Sequence, residues 1–136
     1  MVQLADHPDI TIAELRRRTG LTHSATVRMV AQLELRGLVM RGRTDADRRA
    51  VVLTLTAAGR DRAASVLATR AEALARMLAP LSSDDREQLE RILELLLSPL
   101  PTSADQATVI CRLCELPACP QDQCPVVHGY LRHLES

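Results

Sequence analysis

The sequence predicts a mainly α-helical chain with a short two-stranded β-hairpin in its first half. Three observations lead there. Aromatic residues are nearly absent, with no Trp, no Phe and a single Tyr (Tyr130), so the core must be built from Leu, Val, Ile, Ala and Met, which suits helices better than an all-β barrel. Apolar residues recur at helical spacing through most of the chain, and Gly or Pro stands where these runs stop. Residues 38–55 break the pattern, because two short apolar or β-branched runs there flank a polar, charged stretch. At 136 residues, 46% of them hydrophobic, the chain suits one domain with a small appendage and can supply a core.

Met1–Asp9 reads as a short opening that ends in the turn signal His7-Pro8-Asp9. Thr11 caps a first helix, with Glu14 placed to reach back to the cap. Ile12 and Leu15 point inward, and Gly20 stops the helix in the left-handed conformation. A second helix starts at Thr22 and ends by Gly37. Its Thr26, Met29, Val30 and Leu33 should face the core, which places Ser24, Val27, Arg28 and Ala31 on the opposite side. Two helices joined by a tight turn near a glycine make a helix-turn-helix. Leu38–Arg41 and Val51–Leu55 then form a hairpin around the polar loop Gly42–Arg49, a basic wing longer than a tight two-residue turn. The predicted class is therefore an α+β winged helix-turn-helix.

Thr56 caps the next helix, and Gly59 weakens its first turn. Ala63, Val66, Leu67, Ala71, Leu74, Met77 and Leu78 keep one apolar face as far as Pro80. Ser82 with Asp85 starts another helix, striped by Leu89, Ile92, Leu93, Leu96 and Leu97. Two long helices on so small a winged domain leave apolar surface uncovered. Burial against a second copy, in a homodimer, is the simplest remedy. Ser98–Gln106, rich in Pro, Ser and Thr, reads as a linker. The expected organisation is residues 1–60 as the winged region, 61–97 as dimerisation helices, 98–110 as linker and 111–136 as a Cys-rich tail.

Net charge is zero but unevenly placed. Residues 16–60 hold ten Arg (16, 17, 18, 28, 36, 41, 43, 48, 49 and 60) against Glu34, Asp45 and Asp47, a balance of +7, and the remainder carries −7. Such a segment suits a polyphosphate partner. The lack of aromatic rings argues against single-strand modules, which stack bases, and so points to double-stranded DNA. At the start of the second helix, Thr22, His23 and Ser24 offer free backbone N–H groups and a positive dipole end to a phosphate. Val27 is placed to meet a thymine methyl, and Arg28 either a guanine, bidentately, or a phosphate, with the phosphate expected because most protein–DNA hydrogen bonds go there. Arg48 and Arg49 suit the negative potential of a narrow minor groove, while Arg16–Arg18 alone read as a solvated helix face. No catalytic Ser/His/Asp arrangement or phosphate-cradling Gly loop occurs, so no enzymatic role is expected. No apolar run has the length of a membrane span, and a cytoplasmic location follows as the expectation.

These residues resemble a known family. Leu21-Thr22-His23-Ser24-Ala25-Thr26-Val27-Arg28-Met29-Val30, then Leu33-Glu34 and Gly37-Leu38-Val39, is similar to the recognition-helix region of bacterial MarR-type regulators. Asp45-Ala46-Asp47-Arg48-Arg49, Leu53-Thr54-Leu55-Thr56 and Gly59-Arg60 resemble their wing and the start of the helix behind it. The similarity spans about residues 4–97. It implies a homodimer on a pseudo-palindromic operator, usually repressing nearby genes, with the recognition helix in the major groove and a wing arginine in the minor groove. On that resemblance Asp47 holds Arg49 in place, and a small-molecule effector pocket lies between the winged region and the dimer helices. Two departures stand out: the wing is one residue short, lacking the Pro usual between its two Asp, and members usually carry a helix before the first position seen here. The resemblance therefore implies either an upstream start or dimerisation resting on residues 60–97.

Cys111-x2-Cys114-x4-Cys119-x4-Cys124-Pro125 places four thiols within fourteen residues, enough to complete a tetrahedral soft-ligand site. Zinc fingers usually separate two Cys pairs by a longer loop. Close spacing that ends in Cys-Pro is nearer to iron–sulfur ligation, so a cluster is read ahead of Zn²⁺, and reversible thiol oxidation third, while the plain alternative is a reduced, metal-free tail. His128 reads as a surface residue rather than a substitute ligand. The tail is expected to sense metal or redox state and to shift DNA affinity. Two other readings remain: a metal-stabilised protein–protein adaptor, and a thiol-redox protein built on Cys111-Arg112-Leu113-Cys114. The +7 segment argues against the first, and the absence of a preceding βαβ pattern against the second.

Overall fold

Local capping chemistry sets where the helices begin. In the computed structural model, which describes residues 1–43, 50–115 and 119–135, Thr11, Thr22, Ser82 and Ser103 each accept a hydrogen bond from the backbone N–H three residues on. The elements run α1 (Val2–Asp6), β1 (Ile10–Thr11), α2 (Ile12–Thr19), α3 (His23–Leu35), β2 (Val39–Arg43), β3 (Val51–Leu55), α4 (Ala57–Leu78), α5 (Ser83–Leu97), α6 (Ala104–Ile110) and α7 (Pro125–Leu134). Tight 3₁₀ turns lie at Cys111–Leu113 and Gln121–Gln123. The chain divides within α4 into two compact units, Met1–Leu67 and Ala68–Ser136.

The first unit is a winged helix. Gly20 closes α2 at φ 69° and Gly37 follows α3 at φ 66°, both in the left-handed region that suits glycine. The antiparallel sheet has the order β1-β3-β2. Its hairpin runs in register from Val39↔Leu55 to Arg43↔Val51, so the first wing strand continues two residues beyond the Arg41 expected from sequence. The third strand is a correction to the two-stranded expectation: Ile10 pairs with Leu53 and Thr11 with Val52. The opening is likewise helical at α1, where Leu4 is buried, before Asp9 takes a left-handed φ of 61° and accepts a 2.8 Å hydrogen bond from the Thr54 hydroxyl. Leu4, Ile10, Leu15, Val30, Val39, Leu53, Leu55 and Ala63 form the core, with Ile12, Met29 and Leu33 packed against it. Thr26, fully buried, donates its hydroxyl proton to the Thr22 carbonyl at 2.9 Å, so burial leaves its polar atom satisfied.

One junction fixes α3, the hairpin and α4 to each other. Leu38 N–H donates to Leu33 O at 2.9 Å, and Leu38 O accepts from Thr56 N–H at 3.1 Å. The Thr56 hydroxyl donates to Gly37 O at 2.7 Å and accepts from Gly59 N–H at 3.0 Å. Gly59 lies so close to this strand that a Cβ there would overlap the Leu38 carbonyl oxygen. The residue expected only to weaken a helix turn is the contact point of α4.

In the second unit, Ser82 and Asp85 form the reciprocal capping box that starts α5. The Ser82 hydrogen bonds hold the Asp85 carboxyl below its ordinary value. Leu74 and Met77 on α4 and Ile92, Leu93, Leu95 and Leu96 on α5 are exposed, the uncovered apolar surface that the sequence predicted. The expected 98–110 linker is corrected in part: α6 occupies Ala104–Ile110, because Ser103 caps it and Gln106 Oε1 accepts from both Thr102 N–H and the Thr102 hydroxyl. The 111–136 tail contains α7, which approaches the segment after α5 so closely that a Cβ on Gly129 would overlap the Ser98 carbonyl oxygen.

Candidate nucleic-acid interface and cysteine cluster

The cap that starts α3 also shapes its outer end. Thr22 Oγ1 accepts from Ala25 N–H at 3.3 Å and lies 3.4 Å from Ser24 Oγ. Thr22, His23, Ser24 and Arg28 are exposed, Val27 is half-buried, and the first turn contains no acidic side chain. The positive end of the helix dipole is therefore uncompensated by a carboxylate of its own turn. The buried face, Thr26 and Val30, is the one predicted, so the structure brings five of the eight predicted DNA-contact residues together on the first two turns of one helix. The remaining three, Asp47, Arg48 and Arg49, lie outside the described residues. The strands β2 and β3 on either side of them are described and paired.

Some arginines in the charge count have structural partners from other elements, Arg41 and Arg60 among them. Arg41 Nε donates to Glu34 Oε1 at 2.9 Å and ties β2 to the last turns of α3. Arg60 Nη1 donates to the Leu55 carbonyl at 3.0 Å. Glu34 is already counted in the +7, so these contacts fix where two of the positive charges sit without changing the balance. Both contacts join residues from different elements, and no local motif announces them.

The four cysteines lie in the segment between α6 and α7. Cys111 opens a 3₁₀ turn at the end of α6, with Cys114 N–H donating to Cys111 O at 2.9 Å, and Cys124 occupies the N-cap of α7. All four are reduced and half-buried. Burial, and then the proximity of Cys114, Cys124 and Cys119, pushes the Cys111 thiol up to about 11. Cys119 is raised for the same reasons, burial first. Among the described residues no group of three or more His, Cys, Asp or Glu side chains is placed to hold a metal ion.

Comparison with known proteins places the winged unit. A family model described as MarR family matches residues 1–50. The HTH-type transcriptional repressor Rv2887 of Mycobacterium tuberculosis is 36% identical over 98 residues, covering 68% of this chain and 67% of that protein. The chain belongs to the MarR family. Another member, the transcriptional repressor MprA of Escherichia coli, is 30% identical over 105 residues, 77% of this chain. The chain spans only 60% of the length of MprA. The structure of apo MarR from E. coli aligns with a TM-score of 0.60 at 25% identity, over 70% of this chain and 71% of that one. Both of these relatives, Rv2887 and MprA, are named as transcriptional repressors. No helix among the described residues is long and apolar enough to cross a membrane.

Proposed function

We propose that this MarR-family chain is a repressor that binds duplex DNA as a homodimer at a pseudo-palindromic operator. The observation that carries the reading is the exposed, capped and acid-free N-terminal turn of α3, which presents Ser24, Val27 and Arg28 and runs directly into an arginine-bearing hairpin. A helix start of this kind suits a phosphate, and the side chains of the next turn reach base edges when it enters the major groove. The printed names of Rv2887 and MprA, both transcriptional repressors, support the direction of regulation. The homodimer is supported by the apolar side chains that α4 and α5 leave exposed, Met77 at 74% and Leu95 at 76% among them. On this reading Asp47 orients Arg49 in the minor groove, and the cysteine element adjusts DNA affinity to metal or redox state.

The test is to incubate the purified full chain with fragmented genomic DNA and sequence what it retains. The expected result is an enriched inverted repeat whose half-sites are centred roughly 10 bp apart or a multiple of that. Retention without any shared sequence, or none at all, would reject the reading.

A further inference from the structure

We propose that Cys111 and Cys114 are an oxidation site: the pair closes to a disulfide within one turn of the chain, and Arg70 of α4 holds that turn ready for it. The turn is already formed in the reduced protein. Cys111–Leu113 is a 3₁₀ turn, closed by the 2.9 Å hydrogen bond from Cys114 N–H to Cys111 O. A bond of that kind keeps the first and last Cα atoms within about 7 Å, and in a 3₁₀ turn side chains three residues apart lie over each other. Disulfides bridge Cα atoms about 4.4–6.8 Å apart, so this backbone needs little adjustment to be bridged. Cys119 and Cys124, five residues apart, share no such turn. Cys111 and Cys114 are half-buried while Arg112 and Leu113 between them are exposed, which leaves the turn open to a small oxidant.

Three further hydrogen bonds hold the turn from both sides. Cys111 N–H closes α6 by donating to Ala107 O. Arg112 Nη1 donates to Val109 O at 2.8 Å. Arg70 Nη1 donates to Leu113 O at 2.6 Å, from 43 residues away along the chain. That contact falls between the two cysteines, on a residue that must hold still for their sulfurs to meet. Arg70 is therefore a positioning residue. It favours the turn that the disulfide needs, and by reciprocal linkage the disulfide favours the Arg70 contact, so oxidation fastens the tail to this part of α4. The chemistry is exchange with a low-molecular-weight disulfide. One cysteine thiolate attacks a sulfur of that disulfide and expels one thiol, and the other cysteine attacks the mixed disulfide and expels the second. The protein gives up two electrons and two protons, and both protons end on the two thiols released. The proposal deepens the redox part of the reading above and rests on it only for what the switch controls.

The measurement uses no DNA, so its failure is separate from a failure of the DNA interface. The reduced full chain is equilibrated anaerobically at fixed glutathione with rising glutathione disulfide. It is then alkylated and cut with trypsin and a glutamate-specific protease, which cleave after Arg112 and Glu115. A Cys111–Cys114 bridge leaves the fragment Leu113-Cys114-Glu115 attached to the peptide that ends at Arg112. The expected result is that this link, within a single chain, is the first disulfide to appear in the mass spectrum. Arg70→Ala should need about two- to tenfold more glutathione disulfide to reach the midpoint, the range that one hydrogen bond spans. Arg76→Ala removes an exposed cation from the same helix, 3.9 Å from Glu72, and should leave the midpoint where it is. Four free thiols at the most oxidising mixture, a stable mixed disulfide with glutathione, or a first bridge to Cys119, Cys124 or a second chain would each overturn the site. A midpoint that Arg70→Ala leaves unchanged, or shifts no further than Arg76→Ala does, would overturn the role of Arg70. The bridge mapped on the unmutated chain tests the site even if a variant fails to fold.

Discussion

Gly59→Ala should destabilise the winged unit, against the sign that helix propensity alone gives. Alanine within a helix is favoured over glycine by about 1 kcal/mol. At position 59, however, the new methyl would overlap the Leu38 carbonyl oxygen, stand 2.9 Å from the Leu38 carbonyl carbon and lie 3.2 Å from Leu55 Cδ2. Leu38 cannot yield freely, because its N–H is held by Leu33 O at 2.9 Å and its carbonyl by Thr56 N–H at 3.1 Å. Forced overpacking costs about 1–3 kcal/mol. Losing one of the two backbone hydrogen bonds adds about 1 kcal/mol. Set against the propensity gain, the net loss is about 2 kcal/mol. For a domain of this size that lowers Tm by roughly 8–16 °C. Thermal unfolding followed by circular dichroism measures the shift, and hydrogen exchange at Val30 and Leu53 assigns it to the first unit. Gly42→Ala is the control: its Cβ would meet only Val52 Cγ2, at an ordinary 3.9 Å, and should change stability by less than about 0.5 kcal/mol. A Gly59→Ala protein that melts at or above the parent temperature refutes the reasoning.

Three further outcomes follow. Thr22→Ala removes the side-chain acceptor that caps α3 and should cost about 1 kcal/mol of stability, read as a lower urea midpoint; Thr22→Ser, which keeps the hydroxyl, should recover most of it. Arg49→Ala should weaken operator binding by about 1–3 kcal/mol in a gel shift, and unchanged affinity would remove the wing arginine from the interface. In reduced, metal-free protein the Cys111 thiol, pushed up to about 11, stays protonated at near-neutral pH and exposes more thiolate only as pH rises toward that value. Iodoacetamide labelling mapped by mass spectrometry should therefore be slower at Cys111 than at free cysteine near pH 8 and should accelerate as the solution is made more alkaline. Labelling at the free-cysteine rate would contradict the burial of that thiol.

The elements legible in the sequence are those set by chemistry within a few residues. Thr11, Thr22 and Ser82 begin helices because a short oxygen side chain satisfies an N–H that the helix itself cannot, and Gly20 and Gly37 end them because a left-handed φ costs glycine little. Helical spacing placed Thr26 and Val30 in the core correctly. Strand β1 was not legible, since a two-residue strand has no period and takes its identity from Val52 and Leu53, far along the chain. The role of Gly59 was hidden for the same reason, because its partner Leu38 is brought up by the hairpin. Helix α6 did leave a signal: Ser103-x-x-Gln106 is a capping pattern, masked by the surrounding Pro, Ser and Thr. At α3 the sequence showed which face is outward, but a charge count could not reveal that Arg41 and Arg60 are engaged in holding the fold. Cysteine spacing showed that four thiols are near one another in sequence, and only the fold shows that all four are half-buried.

The central claim, that the outward face of α3 meets duplex DNA, is tested most directly by titrating labelled operator with wild-type and Arg28→Ala protein over a range of salt concentrations and reading fluorescence anisotropy. A phosphate contact at Arg28 predicts binding weakened about tenfold on operator and scrambled duplex alike, with the slope of log affinity against log salt shallower by about 1. If Arg28→Ala binds with the parent's affinity and the parent's salt slope, this face of the helix is not the one that meets DNA.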